Sequence, residues 1–512
     1  MTLERLAGSL FWVGFAGTAP GTVADIERLR ALGPGGLILF ARNVTAPETT
    51  AALVESLRVA LTNADGDAPQ IAIDQEGGRV ARLQRGFATF PSALALGASG
   101  DPVLAERFGL ALATEIRRAG AAVDFAPVLD LLLEPGSTVI GTRALGDDPA
   151  RVAPLGAALA RGLQRGGVAS VLKHFPGHGA SAVDSHLDLP HILVDGEVLR
   201  ARELEPFRAG IAAGALGVMA GHLLVPALDS QRPAGSSRRL LYDVLRDELG
   251  FDGLCFTDCL SMDAIARDPG TIAAAVDALE AGADALTISH DLELAVAARD
   301  AIVAAVRAGR LPLERLEDAR SRAATFRRKL EALSAAREVE PAPATVARLV
   351  ADAAIALVRG NPVLDPGRVL NLISFEGSAA DGVGSRAEAS ALHVMLRERR
   401  IRAESLRVPL DPPAEIVAML VDLLATQGDR QVAIVTRRAH LVPAQARAVD
   451  ALLERSPDAL VIAALEPFDV ARFPQARTVL CTFGDDATTF EALASVLAGR
   501  AVPRGRLPVR VA

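Results

Sequence analysis

Aromatic side chains are scarce in this chain: 4% of 512 residues, with one Trp and one Tyr. That is too little flat apolar surface for a stacking platform along a polymer. Cysteine is scarcer still, and Cys255, Cys259 and Cys481 form an odd set without framework spacing. A disulfide scaffold is excluded, and the composition fits a reducing, cytoplasmic compartment. Cys255 and Cys259 alone are too sparse for a zinc site and read as small core residues. No basic excess exists either. Lys and Arg number 54 against 62 Asp and Glu, a formal net charge of −8, so no charge draws the chain to nucleic acid or to an anionic membrane. The one charge-free stretch of membrane length, residues 209–228, is broken by glycines, His222 and Pro226, which argues against a spanning helix. The first residues lack a signal-peptide pattern, since Glu4 and Arg5 cancel and no small-residue cleavage site follows. No Gly-rich phosphate turn follows the first apolar run, which disfavours a doubly wound nucleotide-binding sheet.

What remains is half apolar and long enough for two or three domains. Eight short apolar runs punctuate the first two-thirds: Leu10–Gly17, Gly36–Arg42, Gln70–Glu76, Ala121–Leu131, Ser170–Pro176, Gly217–Val225, Gly253–Leu260 and Ala283–Ser289. Most are continuous rather than alternating, as strands buried on both faces of a parallel sheet require. Helix signals separate them. Asp101-Pro102 and Asp148-Pro149 each supply an N-cap and a first-turn proline, and Gly120 and Gly166-Gly167 close the segments. The pattern predicts an α/β chain with a (β/α)8 TIM-type barrel over residues 1–335. The proline-rich stretch Val339–Thr345 reads as a linker, with a helix running on to about Val358. Four more apolar runs, Val369–Ser374, Gln431–Thr436, Ala459–Ala464 and Thr478–Phe483, predict a smaller α/β domain over 359–512.

Active sites of such barrels sit at the C-terminal ends of the strands. There the third run gives Asp74, Glu76 and Arg79, the fourth Asp124 and Asp130, and the fifth Lys173, His174 and His178. The sixth gives His222, the seventh Asp258, and the eighth His290. Polar groups therefore converge on one face. A metal hydrolase would place a His pair after an early strand, and the first two runs end in none. The reading calls for no metal and no cofactor. Acid/base chemistry with a nucleophile fits better. Asp258, ending a buried strand, suits an anionic nucleophile, and Asp184 two residues before His186 can orient and activate an acid/base imidazole.

Five stretches carry more than spacing: Ile73–Val80 (IDQEGGRV), Asp124–Asp130 (DFAPVLD), Val139–Arg143 (VIGTR), Lys173–Gly179 (KHFPGHG) followed by Asp184-Ser185-His186, and Phe256–Met262 (FTDCLSM). Together they resemble glycoside hydrolase family 3, in its β-N-acetylhexosaminidase branch of two-domain type. The ending Pro503–Val509 (PRGRLPV) is similar to that of the family's α/β sandwich domain. The resemblance implies a retaining exo-enzyme that frees terminal β-linked N-acetylglucosamine from small glycosides such as cell-wall fragments. It implies Asp258 as nucleophile, His186 as general acid/base and Asp184 as its partner. It also implies Asp74, Arg82, Arg143, Lys173 and His174 as the groups that hold the sugar. Arg143 has an alternative role in an ion pair with a nearby carboxylate. His178 is expected to order its loop, and Asp130 to be a structural partner of the Lys173/His174 pair. The other branch of the family takes its acid/base from a Glu of the second domain; here the barrel carries both groups, so the second domain is expected to be scaffold. Alanines at 144 and 180, and Met219–His222, depart from the family pattern at the pocket wall and loop hinge. Two alternatives stay open. A phosphorylase would use the same residues, because a His acid/base repels phosphate less than a Glu would. A catalytically silent sugar-binding protein would be expected to lose Asp258 or His186, and both are present. Apart from a small glycoside no partner is implied, and the oligomeric state is not legible.

Overall fold

The computed structural model describes residues 1–63, 66–185, 187–377 and 389–511. Eight parallel strands close a barrel: β1 (Phe11–Gly14), β2 (Gly36–Leu39), β3 (Gln70–Ile73), β4 (Val123–Asp124), β5 (Ala169–Phe175), β6 (Gly217–Ala220), β7 (Leu254–Cys259) and β8 (Ala285–Ile288). Each lies within one of the apolar runs, apart from one extra residue at the start of β5. Their neighbour order is the chain order, with β1 bonded to both β2 and β8. The predicted caps form as chemistry requires. Asp101 Oδ1 accepts from the backbone N–H of Val103 and Leu104, and helix Pro102–Arg118 follows; Asp148 Oδ1 accepts from Ala150 N–H ahead of Pro149–Arg165.

The barrel is filled, not hollow. Trp12, Phe125 and Phe256 meet inside it, with Trp12 and Phe256 centroids 5.0 Å apart in an edge-on contact. Phe326, from the long helix Leu313–Ala335, packs against both from one end. The single Trp is thus core, 4% exposed, and offers no face to a ligand.

The second domain is a six-stranded sheet built from β9 (Ala356–Arg359), β10 (Leu370–Glu376), β11 (Ala403–Pro409), β12 (Gln431–Thr436), β13 (Leu460–Ala463) and β14 (Thr478–Cys481), in the order β9-β14-β13-β12-β10-β11. Only β9 is antiparallel to its neighbour. Two of these strands escape the sequence pattern. β11 (AESLRVP) is an edge strand whose residues are mostly part-exposed and polar, so it has no apolar run to betray it. β9 follows the helix Pro343–Ala354 after one residue, so the helix expected to reach Val358 stops four residues early. The helix begins inside the stretch read as linker, with Pro343 in its first turn. Its apolar face, Val346, Ala347 and Val350, belongs to the barrel core, and it also packs on the second domain's helix Ala487–Leu497.

Candidate active site

The end of β3 and the end of β5 are brought together by charge. Asp74 follows β3 directly, and the chain then folds into a short hairpin, Gln75–Gly77 with Val80–Ala81. Lys173, near the end of β5, places Nζ 2.7 Å from Asp74 Oδ1 and 2.7 Å from Glu76 Oε1. Arg143 closes on Glu76 in a two-pronged pair, Nε to Oε2 and Nη2 to Oε1, each 2.8 Å. Burial would push the Glu76 carboxyl up, but Arg143 and Lys173 hold it far below the carboxylate range. Burial would likewise push the Lys173 ammonium down, and Asp74 and Glu76 keep it above its ordinary value. The side chains of Glu76 and Lys173 are 3% exposed, those of Asp74 and Arg82 20% and 29%, so Asp74 and Arg82 are the members that reach solvent. Arg82 Nη2 stands 3.9 Å from Asp74 Oδ2.

His174 joins this row from behind. Its Nδ1 is 2.6 Å from Asp130 Oδ2, and its Nε2 lies 3.5 Å from Arg143 Nη2. Asp130 also accepts the backbone N–H of His178 at 2.6 Å. Burial opposes its charge, but His174 and His178 hold its carboxyl below the ordinary value. Asp130 is therefore the partner of His174 and of the His178 backbone, a correction to the expectation that it serves Lys173 too; Lys173 spends its donors on Asp74 and Glu76. His178 orders its loop, with Nε2 3.2 Å from Ser185 Oγ. Ser185 is buried, and its carbonyl accepts from Ala264 N–H at 3.4 Å. The Asp184–Ser185 segment is thereby tied to the short helix Asp263–Ala266 that follows β7.

Asp258 stands at the end of β7, half-buried, with Oδ1 accepting from Cys259 N–H at 2.7 Å. Behind it His222 is buried, with Nε2 3.0 Å from the Cys259 carbonyl. That contact assigns the ring proton to Nε2, since a carbonyl only accepts. Burial pushes the His222 pKa down, so the ring stays neutral beside Asp258. His186 lies outside the described residues. His290, at the end of β8, turns to the exposed rim, where its Nδ1 is 2.9 Å from Arg42 Nη1.

Among the residues that motif reasoning left without roles are Glu76 and Asp124. Glu76 links Lys173 to Arg143 from the hairpin that follows β3, two residues after Asp74. Asp124 is fully buried, accepts Gln75 N–H at 2.9 Å, and burial raises its carboxyl well above the ordinary value. Nothing in the sequence separates a carboxyl raised by burial in this way from one lowered by facing cations. Among the described residues no three His, Cys, Asp or Glu side chains gather as a metal ion would need. Alternating carboxylates and cations at one strand-end face, with a further carboxylate beyond them, suit a small ligand rich in hydroxyls, each of which donates and accepts.

Comparison with known proteins points the same way. Residues 22–326 match the family model described as the glycosyl hydrolase family 3 N terminal domain. A protein of Stenotrophomonas maltophilia (strain K279a) named "Beta-hexosaminidase" is 40% identical over 289 residues, 54% of this chain and 82% of that protein. A "Beta-hexosaminidase" of Pseudomonas aeruginosa (strain LESB58) is 41% identical over 282 residues, again 54% and 82%. Among solved structures, a glycoside hydrolase family 3 beta-N-acetylglucosaminidase from Paenibacillus sp. str. FPU-7 superposes with a TM-score of 0.92 at 34% identity. That likeness covers 100% of this chain and 99% of the other.

Proposed function

The chain belongs to glycosyl hydrolase family 3 and is a glycoside hydrolase, and from that premise we propose that it is a retaining, exo-acting β-N-acetylhexosaminidase. In this reading it frees terminal β-linked N-acetylglucosamine from small glycosides such as cell-wall fragments. The observation that carries the reading is the convergence on one barrel end of Asp258, of the tied Asp184–Ser185 segment, and of the Asp74–Lys173–Glu76–Arg143 row. The names of the relatives supply the sugar class.

The chemistry runs in two displacements. Asp258 bonds to the anomeric carbon as the bond to the leaving oxygen breaks, and His186 gives its proton to that oxygen. Water then attacks the same carbon, His186 takes the water's proton, and the Asp258 carboxylate leaves. Asp184 orients the His186 ring and stabilises its charged form. His222, neutral and bonded to the backbone behind Asp258, offers that carboxylate no proton. Asp74, Arg82, Arg143, Lys173 and His174 hold the sugar hydroxyls, with Asp74 and Arg82 the members nearest solvent.

The test is substrate choice. Initial rates on the 4-nitrophenyl β-glycosides of N-acetylglucosamine and glucose, with and without phosphate, should show the N-acetyl sugar turned over about a hundredfold faster. Phosphate should not raise the rate. Product freshly released in heavy water should carry the β-anomeric proton signal. Faster cleavage of the glucoside, or turnover that rises with phosphate, would replace this reading with a glucosidase or a phosphorylase.

A further inference from the structure

The loop that carries Arg143 is gripped from both sides, and one of the grips belongs to the second domain. On the barrel side, Arg79 Nη2 donates to the carbonyls of Thr138 at 2.5 Å and Val139 at 2.6 Å. Arg143 Nη1 shares the Val139 carbonyl at 3.0 Å. On the other side stands Glu466, three residues past β13, locked to Arg438, two residues past β12, by two bonds of 2.9 Å. Glu466 is 3% exposed, and it presses directly on the loop: a Cβ at Gly141 would fall 2.0 Å from Glu466 Oε1. Gly141 has φ +45, a further reason for glycine there.

The backbone of the second domain is left-handed at two non-glycine residues beside this contact. Arg438 has φ 56, a left-handed conformation that costs a residue with a Cβ. Phe483 has φ 61, and its carbonyl accepts from Ser92 Oγ at 2.5 Å. Ser92 in turn lies under the Asp74–Arg79 turn, where a Cβ at Gly78 would fall 2.8 Å from Ser92 Cβ. Thus two of the three left-handed non-glycine residues among those described lie where the second domain meets the two barrel segments that hold Glu76 and Arg143. Strained backbone of this kind persists where surrounding structure demands it. Charge agrees: Arg79, Arg143 and Arg438 crowd together, and burial with those two neighbours pushes Arg79 down to about 10. Glu466 and Glu76 are the carboxylates that offset them.

We propose that the Arg438–Glu466 pair of the second domain, pressed on Gly141, is a positioning device that sets Arg143 against Glu76 and so shapes the sugar site. Glu466 touches no substrate; it acts through Arg143. The claim rests on the proposed role of Arg143 in holding the sugar, and it makes the second domain part of substrate affinity and not only scaffold.

The experiment is a double-mutant cycle on the full chain with Glu466→Gln, Arg143→Lys and both together. Each is followed by KM and kcat on 4-nitrophenyl N-acetyl-β-glucosaminide and by its thermal midpoint. Loss of a charge-assisted contact at this position should raise KM about tenfold in Glu466→Gln, with kcat within about threefold. In the Arg143→Lys background the same change should add less than about twofold. An unchanged KM in a folded Glu466→Gln, or a full tenfold effect that survives Arg143→Lys, overturns the proposal, because a merely structural residue would act independently of Arg143. If Glu466→Gln does not fold, Arg438→Gln/Glu466→Gln removes both charges together. A raised KM there supports the claim and a wild-type KM overturns it. Wild-type inactivity on this glycoside would count against the proposed function alone; the cycle is then run on whichever glycoside the wild type cleaves.

Discussion

Replacing Glu76 by Gln would leave buried Lys173 with Asp74 as its ion-pair partner and buried Arg143 with no carboxylate in direct contact, only the fields of Asp130 and Asp74. Breaking a buried ion pair on one side costs about 3–5 kcal/mol, so Glu76→Gln should lower the urea midpoint markedly and raise KM as well. The same residues set a pH dependence. In the folded chain Glu76, Asp130 and Glu466 all sit below the ordinary carboxylate value, despite burial, because Arg143 and Lys173 face Glu76, Arg438 and Arg79 face Glu466, and His174 and His178 bond Asp130. A depressed carboxyl contributes stability that is complete above its unfolded value and is lost as pH falls through the folded one. Stability from these groups should therefore be flat down to about pH 5 and should fall steeply below about 4.5. Asp124, raised by burial, works in the opposite sense and weakens the fold as pH rises past its unfolded value. Urea unfolding between pH 7 and pH 3 checks this: Glu76→Gln should show a shallower acid loss than the wild type, and an identical slope would remove Glu76 from the account.

At the scale of elements, the barrel was legible because its strands are buried on both faces and so read as unbroken apolar runs, Gly36–Leu39 and Gly217–Ala220 among them. The site was legible for a related reason: a polar residue straight after such a run, as Asp74 after β3, stands at the barrel mouth. Edge elements were not legible. β11 is polar and part-exposed, and β9 is four residues long directly after a helix, so neither leaves a periodic trace. Nor could spacing find Glu466 or Arg438, whose meaning depends on a contact with Gly141 more than 290 residues away in the chain. The filled barrel interior gives a separable prediction. Phe326→Ala removes a ring packed on Trp12 and Phe256 and should cost about 3–5 kcal/mol of stability. Because Phe326 touches none of the mouth residues, KM at 25 °C should stay within about twofold. A rise in KM equal to that of Glu76→Gln would mean that core and mouth are not independent.

Across the whole molecule the two domains share a core. Leu94, Ala95, Ile140 and Ala144 of the barrel segment pack in one buried cluster with Phe468, Phe473 and Phe483 of the second domain. The last residues fasten it: Arg506 N–H donates to the Ala98 carbonyl at 3.0 Å, and Arg510 N–H to Asp147 Oδ2 at 2.8 Å. No helix among the described residues is long and apolar enough to cross a membrane. A chain ended at residue 335 would expose that shared apolar surface, and it should aggregate on size-exclusion chromatography. A monomeric product with wild-type KM would show that the second domain is dispensable to the site.

The most direct test of the account is turnover of 4-nitrophenyl N-acetyl-β-glucosaminide by the wild type and by Asp258→Ala, each with and without azide. Removing the nucleophile of a retaining enzyme should lower the rate about a thousandfold or more, and azide should restore turnover with an α-glycosyl azide as product. Turnover by Asp258→Ala within about tenfold of the wild type, unaffected by azide, would mean that the reacting carboxylate lies elsewhere.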